Sequence, residues 1–522
     1  MEKILPSKSG LPTAVSGGRY LHSSYDPAKE AQRFSLSAGH IPRGSIVVLL
    51  GEALGYLSRQ LQKDHPGIRI LPVYCSAYFY ENRTDPSGGD DFSSWRPGGP
   101  ETFGVFLRRR IPDTQFPALR VLEWEAAERA FPRLMRLLRE DLARFGRQVN
   151  GSLLTTAVFG KKWITNSIRN YLALDKASVL KKLSGPVCIA ASGPGLADAL
   201  SFLERKRRSF TLFALPSAAD FLTRRGIIPE AIFMTDPGFY TGLHFRALAR
   251  LAGKTENRAA SPAGPALLMP LPAYAGLRGG VLPAALFHQG SAPEKILLEG
   301  IPGAPPYIPS NGTVAGTAMQ AALSLGAGPV ILAGMDMAAR GIEEHVRPNA
   351  FDEYYAADGR RLKPEEGERA ARIFTLYPDR LDGAWRTSPS LRTYAGWFSS
   401  MADARPGSIF RVSASPVDTG GGCTFGEAEK LLGEKPDCVF ERMSLPALNQ
   451  RREKVFSFIK TIEKSVPDDE LAMLIDTAGV LELKKAALNP YSAQPDREKA
   501  EARVLAEIAD FCSFLYSVLK AL

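Results

Sequence analysis

Between about residues 184 and 336 the chain repeats one pattern: a short apolar run, a turn marked by glycine or proline, then an amphipathic stretch. The runs PVCIAA, FTLFAL, AIFMTD, ALLMPL, ALFHQG and PVILAGMD have strand length and read as buried strands. ADALSFLER, AADFLTRRG, GLHFRALARLAG and VAGTAMQAALSLGA, between or beside them, carry apolar residues at helical spacing. Apolar strands alternating with helices pack as a parallel sheet covered on both faces. The fold class read from this is α/β, with a central doubly wound parallel sheet. Ligands of such sheets sit outside the carboxyl ends of the strands.

At 522 residues the chain is too long for one domain, and the flanks differ in texture from the middle. Residues 1–150 hold GSIVVLLGEALGYLSRQL and then IRILPVYC, the start of a smaller Rossmann-like α/β domain. RTDPSGGDDFSSWRPGGPETFG is a loop by composition, and a long amphipathic helix follows, broken or kinked near Pro132. Residues 151–435 form the central domain. Residues 436–522 lose the strand signal and read as a helical domain of three amphipathic segments, with Pro467 and Pro490 in the breaks. Their apolar stripes suit a protein partner, or a second copy of the chain, as well as burial on one another.

Five scattered cysteines without a CxxC pair fit a reducing compartment better than a disulfide framework or zinc site. The N-terminus lacks an apolar core of signal-peptide length, and no run reaches the roughly 18–20 apolar residues that span a bilayer. A cytoplasmic protein with no membrane partner is the expectation. The formal charge of +10 comes with basic runs at Arg108-Arg109-Arg110, Arg205-Lys206-Arg207-Arg208 and Arg451-Arg452. No aromatic residues interleave these runs and no nucleic-acid motif accompanies them, so most read as solvated faces and no nucleic acid is expected.

Four polar strand ends stand out. Ser192-Gly193-Pro194-Gly195 turns a strand into a helix, where free backbone N–H groups and the helix dipole favour a phosphate. Thr235 and Asp236 close AIFMTD before a Pro-Gly turn; an aspartate there can bind a ribose hydroxyl, hold a cation, act as a base, or cap the next helix. Ser310-Asn311-Gly312-Thr313 opens an alanine-rich helix, with Asn311 an N-cap or an amide that reads a base or sugar hydroxyl. Asp336 follows PVILAG in a glycine-flanked turn. Together they predict a pocket for a phosphorylated ligand.

The combination resembles the motility-associated factor (Maf) glycosyltransferases, whose central domain looks like that of bacterial sialyltransferases. The matching elements are NSIRNY (166–171), ASGPGLADAL, GIIPEAIFMTDPGFY, SNGTVAGTAMQAALSLGAGPVILAGMDMA and DTGGGCTFGEAEKL, with YDPAKEAQRF and VVLLGEALGYL in the first domain. The resemblance covers most of residues 20–435. It implies transfer of a nonulosonic acid, of the pseudaminic or legionaminic type, from its CMP-activated form to serine or threonine hydroxyls of flagellin, in support of flagellar assembly and motility. It implies no obligatory cofactor; a divalent metal is left open. Ser192, Gly193, Pro194, Gly195, Thr235, Ser310, Asn311, Gly312 and Thr313 would line the CMP pocket, and Asp236, Asp336 and His345 would carry the chemistry.

Gly195 stands where the family has a serine after Gly-Pro. In the first domain GEALG has few glycines and ILPVYCS does not end in an acidic residue, so that domain reads as a scaffold or acceptor platform. Of the six histidines, His22, His40, His65, His244 and His288 read as structural, exposed or packing residues. His345 lies in ARGIEEHVRPNAFDEYY, a stretch with the composition of an active-site lid, and is the candidate general base, with Asp236 and Asp336 as rivals. Arg347, Tyr354 and Tyr355 would bind the sugar carboxylate or phosphate, or anchor the loop. Two other readings stay open: a diphosphotransferase like the archaeal pterin pyrophosphokinases, and a non-catalytic flagellin-binding factor.

Overall fold

The central sheet grows from strands too short and too apolar to be anything but buried. In the computed structural model, which describes residues 1–84, 93–174, 176–244, 265–274, 282–433, 436–465, 470–489 and 494–522, the chain divides into two units. One comprises Met1–Lys161 and Lys460–Phe514, the other Lys162–Ile459 and Leu515–Leu522.

In the first unit, β1 (Glu2–Pro6), β2 (Pro12–Ser16) and β3 (Arg19–Tyr20) form an antiparallel meander. A parallel three-stranded sheet follows in the order β5-β4-β6, from β4 (Ile46–Glu52), β5 (Arg69–Tyr74) and β6 (Leu119–Glu123). This is the small Rossmann-like core the sequence predicts. Its strand-to-helix elbow is closed from within. Glu52, fully buried at the end of β4, accepts from the backbone N–H groups of Ala53 (2.9 Å), Gly55 (3.1 Å) and Ser58 (2.8 Å). The Leu54 N–H donates to Nε2 of buried His22 at 3.3 Å. The donors that would cradle a phosphate are taken by a side chain of the chain itself. The helix over Glu125–Ala130 ends before Pro132, which opens a new helix over Pro132–Ala173, so the expected break is a restart with proline at the first position.

In the second unit nine strands form one sheet in the order β17-β13-β8-β9-β10-β11-β12-β7-β18. These are β7 (Ala177–Leu183), β8 (Val187–Ala190), β9 (Thr211–Ala214), β10 (Ala231–Phe233), β11 (Ala266–Met269), β12 (Ala284–Leu286), β13 (Val330–Ala333), β17 (Ile409–Val412) and β18 (Cys438–Met443). All pairings are parallel except that of β18 with β7. A small antiparallel sheet of β14 (Ala339–Arg340), β16 (Trp385–Thr387) and β15 (Asp379–Arg380) sits beyond β13. All six strands read from the sequence are present, each shorter than the run that marks it, with β12 starting one residue earlier, at Ala284.

β18 corrects the expectation that strand character ends near 436. It is an edge strand with alternating exposure, and its short CVFERM pattern lacks the apolar run that marks the interior strands. The helix over Val314–Ser324 lays Ala315, Ala318, Met319 and Ala322 against Ile189, Phe213, Phe233 and Leu332; small side chains bring it close to the sheet. The helical tail holds helices over Leu448–Glu463, Glu470–Ile475, Thr477–Leu488 and Gln494–Ala521. Asp476 divides the second expected segment by capping the Gly479 N–H at 3.0 Å. The expected helix at 242–253 lies mostly outside the described residues, as do Pro467 and Pro490. Among the described residues no helix is long and apolar enough to cross a membrane.

Candidate active site at the carboxyl edge of the sheet

From β8 the chain runs one way across the sheet to β12, then returns to place β13 on the other side of β8. The carboxyl ends of β8 and β13 therefore flank a switch point, the usual place for a ligand in this architecture. Here the crevice floor is filled by protein. Asp336, after β13, is 2% exposed; Oδ2 accepts from the Gly195 N–H at 2.6 Å, and Ser413, after β17, donates to Oδ1. A Cβ on Gly193 would lie 2.4 Å from Asp336 Oδ2 and 2.5 Å from Gly334 O; one on Gly195 would lie 2.6 Å from Asp336 Oδ1. Both glycines thus make room for the aspartate. The element after the elbow is a single 3-10 turn, Pro194–Leu196, and the α-helix begins only at Leu200. Burial pushes the Asp336 carboxyl above its ordinary value, against the bonds from Ser413 and Gly195 and the charges of Arg411 and Arg340. Met337, next in sequence, has φ +50°, and its carbonyl accepts from Thr387 Oγ1 at 2.7 Å.

On the β9 and β10 side the edge is polar. Ser192 Oγ lies 2.9 Å from His345 Nδ1, and Ser217, in the first turn after β9, donates to Ser192 Oγ at 2.7 Å. The Val346 N–H donates to the Ser192 carbonyl at 2.7 Å and holds the histidine segment over β8. Burial pushes His345 below its usual range; Glu344 opposes the shift and Arg372 adds to it. His244, after β10, is pushed down to about 4 by burial and by His345 beside it.

Asp236 is exposed at the end of β10, with Oδ1 accepting from the Gly238 N–H at 2.6 Å. Phe239 (67% exposed), Tyr240 (59%) and Tyr354 (50%) form an open aromatic surface next to Phe351 and Tyr355. Arg347 pairs with Asp352 (3.1 Å) and Glu365 (3.5 Å), while Arg369 takes the same two carboxylates, so Arg347 anchors its loop.

Asn311 lies at the N-terminus of the helix over Val314–Ser324. Its Oδ1 accepts from the Thr313 N–H (3.0 Å) and Oγ1 (3.2 Å), its amide donates to Gln320 Oε1 (3.1 Å), and Thr313 caps the helix through the Gly316 N–H (3.0 Å). Gly316 leaves space for that amide, since a Cβ there would lie 2.5 Å from Asn311 Oδ1. Gly312 has φ +84°, and Ser310 and Gly312 are exposed. Thr235 is half-buried, and Pro194 is buried with its carbonyl accepting from Arg340.

The sequence pointed at NSIRNY without giving it a role. Asn166 and Asn170 sit one turn apart on the long helix. Asn166 donates to the carbonyls of Pro237 and Pro272 (both 3.3 Å), Asn170 to those of Leu271 and Ala273 (both 2.9 Å). Tyr274 N–H donates to Asp236 O at 3.0 Å and joins the same two loops. The i, i+4 spacing of two amides was the signal available. Asn170→Ala is expected to cost roughly 1–3 kcal/mol for each buried carbonyl it leaves unsatisfied, read as a lower urea midpoint; an unchanged midpoint would show that solvent replaces both bonds. Arg451 is also not on a solvated face. It is buried, and its guanidinium donates to the carbonyls of Tyr171 (2.5 Å) and Pro446 (3.1 Å).

The architecture defines a class of fold, mixed α/β with polar residues gathered at the carboxyl edge of a largely parallel sheet. A MAf glycosyltransferase from Magnetospirillum magneticum AMB-1 aligns over 100% of this chain and 89% of that one, with a TM-score of 0.52 at 14% identity. Residues 162–341 match the family described as 6-hydroxymethylpterin diphosphokinase MptE-like. An uncharacterized protein of Treponema pallidum (strain Nichols) is 25% identical over 316 residues, which are 59% of this chain and 63% of that protein. The chain thus spans just under two thirds of this curated relative.

Proposed function

We propose that this chain transfers a nonulosonic acid, of the pseudaminic or legionaminic type, from its CMP-activated donor to serine or threonine hydroxyls of flagellin. The observation that carries the reading is the edge formed by Ser192, Ser217, His345 and Asp236, set in a fold shared along the whole chain with a Maf glycosyltransferase. Such transfer breaks the bond between the anomeric carbon and the phosphate oxygen, leaving the electron pair on the phosphate. The acceptor oxygen forms the new bond and gives up its proton. Asp236, open to solvent beside exposed aromatic rings, suits the acceptor side; buried Ser192 with half-buried His345 suits the donor side. The closed elbow of the first unit supports its role as a scaffold or acceptor platform.

The test is incubation of the purified chain with flagellin and a CMP-activated nonulosonic acid, followed by mass spectrometry. Flagellin gaining the mass of the sugar supports the reading; unchanged flagellin with intact donor overturns it. The description of the matched family favours a second reading, diphosphate transfer to a pterin. Calorimetry separates the two: CMP binding supports the first, ATP with magnesium the second.

A further inference from the structure

We propose that the first unit carries a ligand site of its own, for a small organic phosphate, at the edge of its sheet opposite the elbow that Glu52 closes. The site is a cavity of about 470 Å³ beside the amino ends of β4 and β6. His40 and Pro42, before β4, line it together with Pro117, before β6, and Arg120, the second residue of that strand. Lys485 and Leu488 line it from the last turn of the helix over Thr477–Leu488. All six residues belong to one unit of the chain. Nothing in this site depends on the glycosyltransferase reading.

The charge of the cavity follows from the ion pairs its walls make. Residues 38–45 include no acidic side chain. Asp113, which opens the 3-10 helix Asp113–Ala118, pairs with Arg108 at 3.2 Å. Glu123, at the far end of β6, pairs with Arg139 at 2.7 Å. Glu482, on the helix over Thr477–Leu488, pairs with Arg503 at 3.2 Å. Each acid on these walls is thus held by an arginine that does not line the cavity. Among the described residues, His40, Arg120 and Lys485 have no carboxylate within ion-pair distance, and no acidic residue lines the cavity with them. Residues 490–493, next in sequence, are Pro-Tyr-Ser-Ala and bring none. The helix dipole explains a lysine in a last turn, but not an arginine on a strand beside it. Two fixed positive charges match a dianion, and a phosphate has oxygens for the arginine fork and the lysine at once. A carboxylate offsets one charge only. Pro42, Pro117 and Leu488 give an apolar body a surface to lie on, and the volume is that of a small-molecule site.

Calorimetry on the full chain at low ionic strength, where exposed charges are least screened, tests the site with two probes, phenyl phosphate and benzoate. Phenyl phosphate is expected to bind, and benzoate about tenfold or more weakly, since its head carries a single charge. Arg120→Gln combined with Lys485→Gln is expected to weaken phenyl phosphate by about ten- to a hundredfold, the effect of losing hydrogen bonds to a charged group. Both side chains are exposed, so the urea midpoint of this variant should match the parent's. Arg133→Gln combined with Lys63→Gln removes two charges from exposed positions of the same unit outside the cavity. That pair is expected to leave binding within about twofold of the parent. Equal losses in the two pairs mean attraction to net charge alone and overturn the site. A parent chain that binds no phenyl phosphate, or a cavity pair that binds it like the parent, also overturns it. Benzoate as tight as phenyl phosphate overturns the phosphate head.

Discussion

Asp236→Asn is expected to lower sugar transfer about a hundred- to ten-thousandfold at saturating donor while leaving the fold intact. The substitution is nearly isosteric, and the amide oxygen can still accept from the Gly238 N–H that Oδ1 now holds at 2.6 Å. What it removes is the charge and the ability to take the acceptor's proton. The carboxylate is exposed, so its loss leaves no buried partner unsatisfied. Transfer by the variant should be measured beside its thermal midpoint. Parental turnover would reduce Asp236 to the cap of a Pro-Gly turn, the simpler of the roles its sequence context allows.

Gly193→Val should collapse the switch point, with a loss of about 3 kcal/mol or more, at the upper end of overpacking costs. The reason is not exclusion of a ligand. The first carbon of the new side chain would already sit 2.4 Å from Asp336 Oδ2 and 2.5 Å from the Gly334 carbonyl, and neither group has room to move. Asp336 is held from both sides by Gly195 N–H and Ser413, and the Gly193 N–H itself bonds Gly334 O at 2.9 Å. Gly396→Ala, in the helix over Pro389–Asp403, is the control: no atom lies within 4 Å of the added carbon, so stability should hold or rise slightly. A urea midpoint for Gly193→Val equal to that of Gly396→Ala would show that the elbow is not packed against Asp336.

The elbow was legible in its position but not in what it holds. Ser192-Gly193-Pro194-Gly195 marked a strand end correctly, because a buried parallel strand must stop at a turn and glycine permits close approach. What approaches was not legible. A phosphate and a carboxylate ask the same of a backbone N–H, and the carboxylate is Asp336, 141 residues away in sequence. Glu52 repeats the lesson in the first unit, where GEALG carries its own anion. Ser217 escaped notice because a lone serine after Leu-Pro has no periodic signal; it gained a role only when β9 paired beside β8.

By itself the sequence determined a parallel sheet and six of its nine strands, β8 to β13, with the small α/β core before it and the helices after it; β7, β17 and β18 were not read from it. Local hydrophobic period and turn residues suffice for those, since each is written within a dozen residues. Tertiary structure alone decided the neighbours: β13 beside β8 rather than β12, β7 and β18 closing one edge, and Asn166 and Asn170 pinning the loops after β10 and β11. It also decided that Asp336 faces inward while Asp236 faces solvent. Both aspartates follow a short apolar strand in similar words. Their difference is one of burial, and burial depends on which distant segments pack above each strand end, a quantity no local pattern encodes.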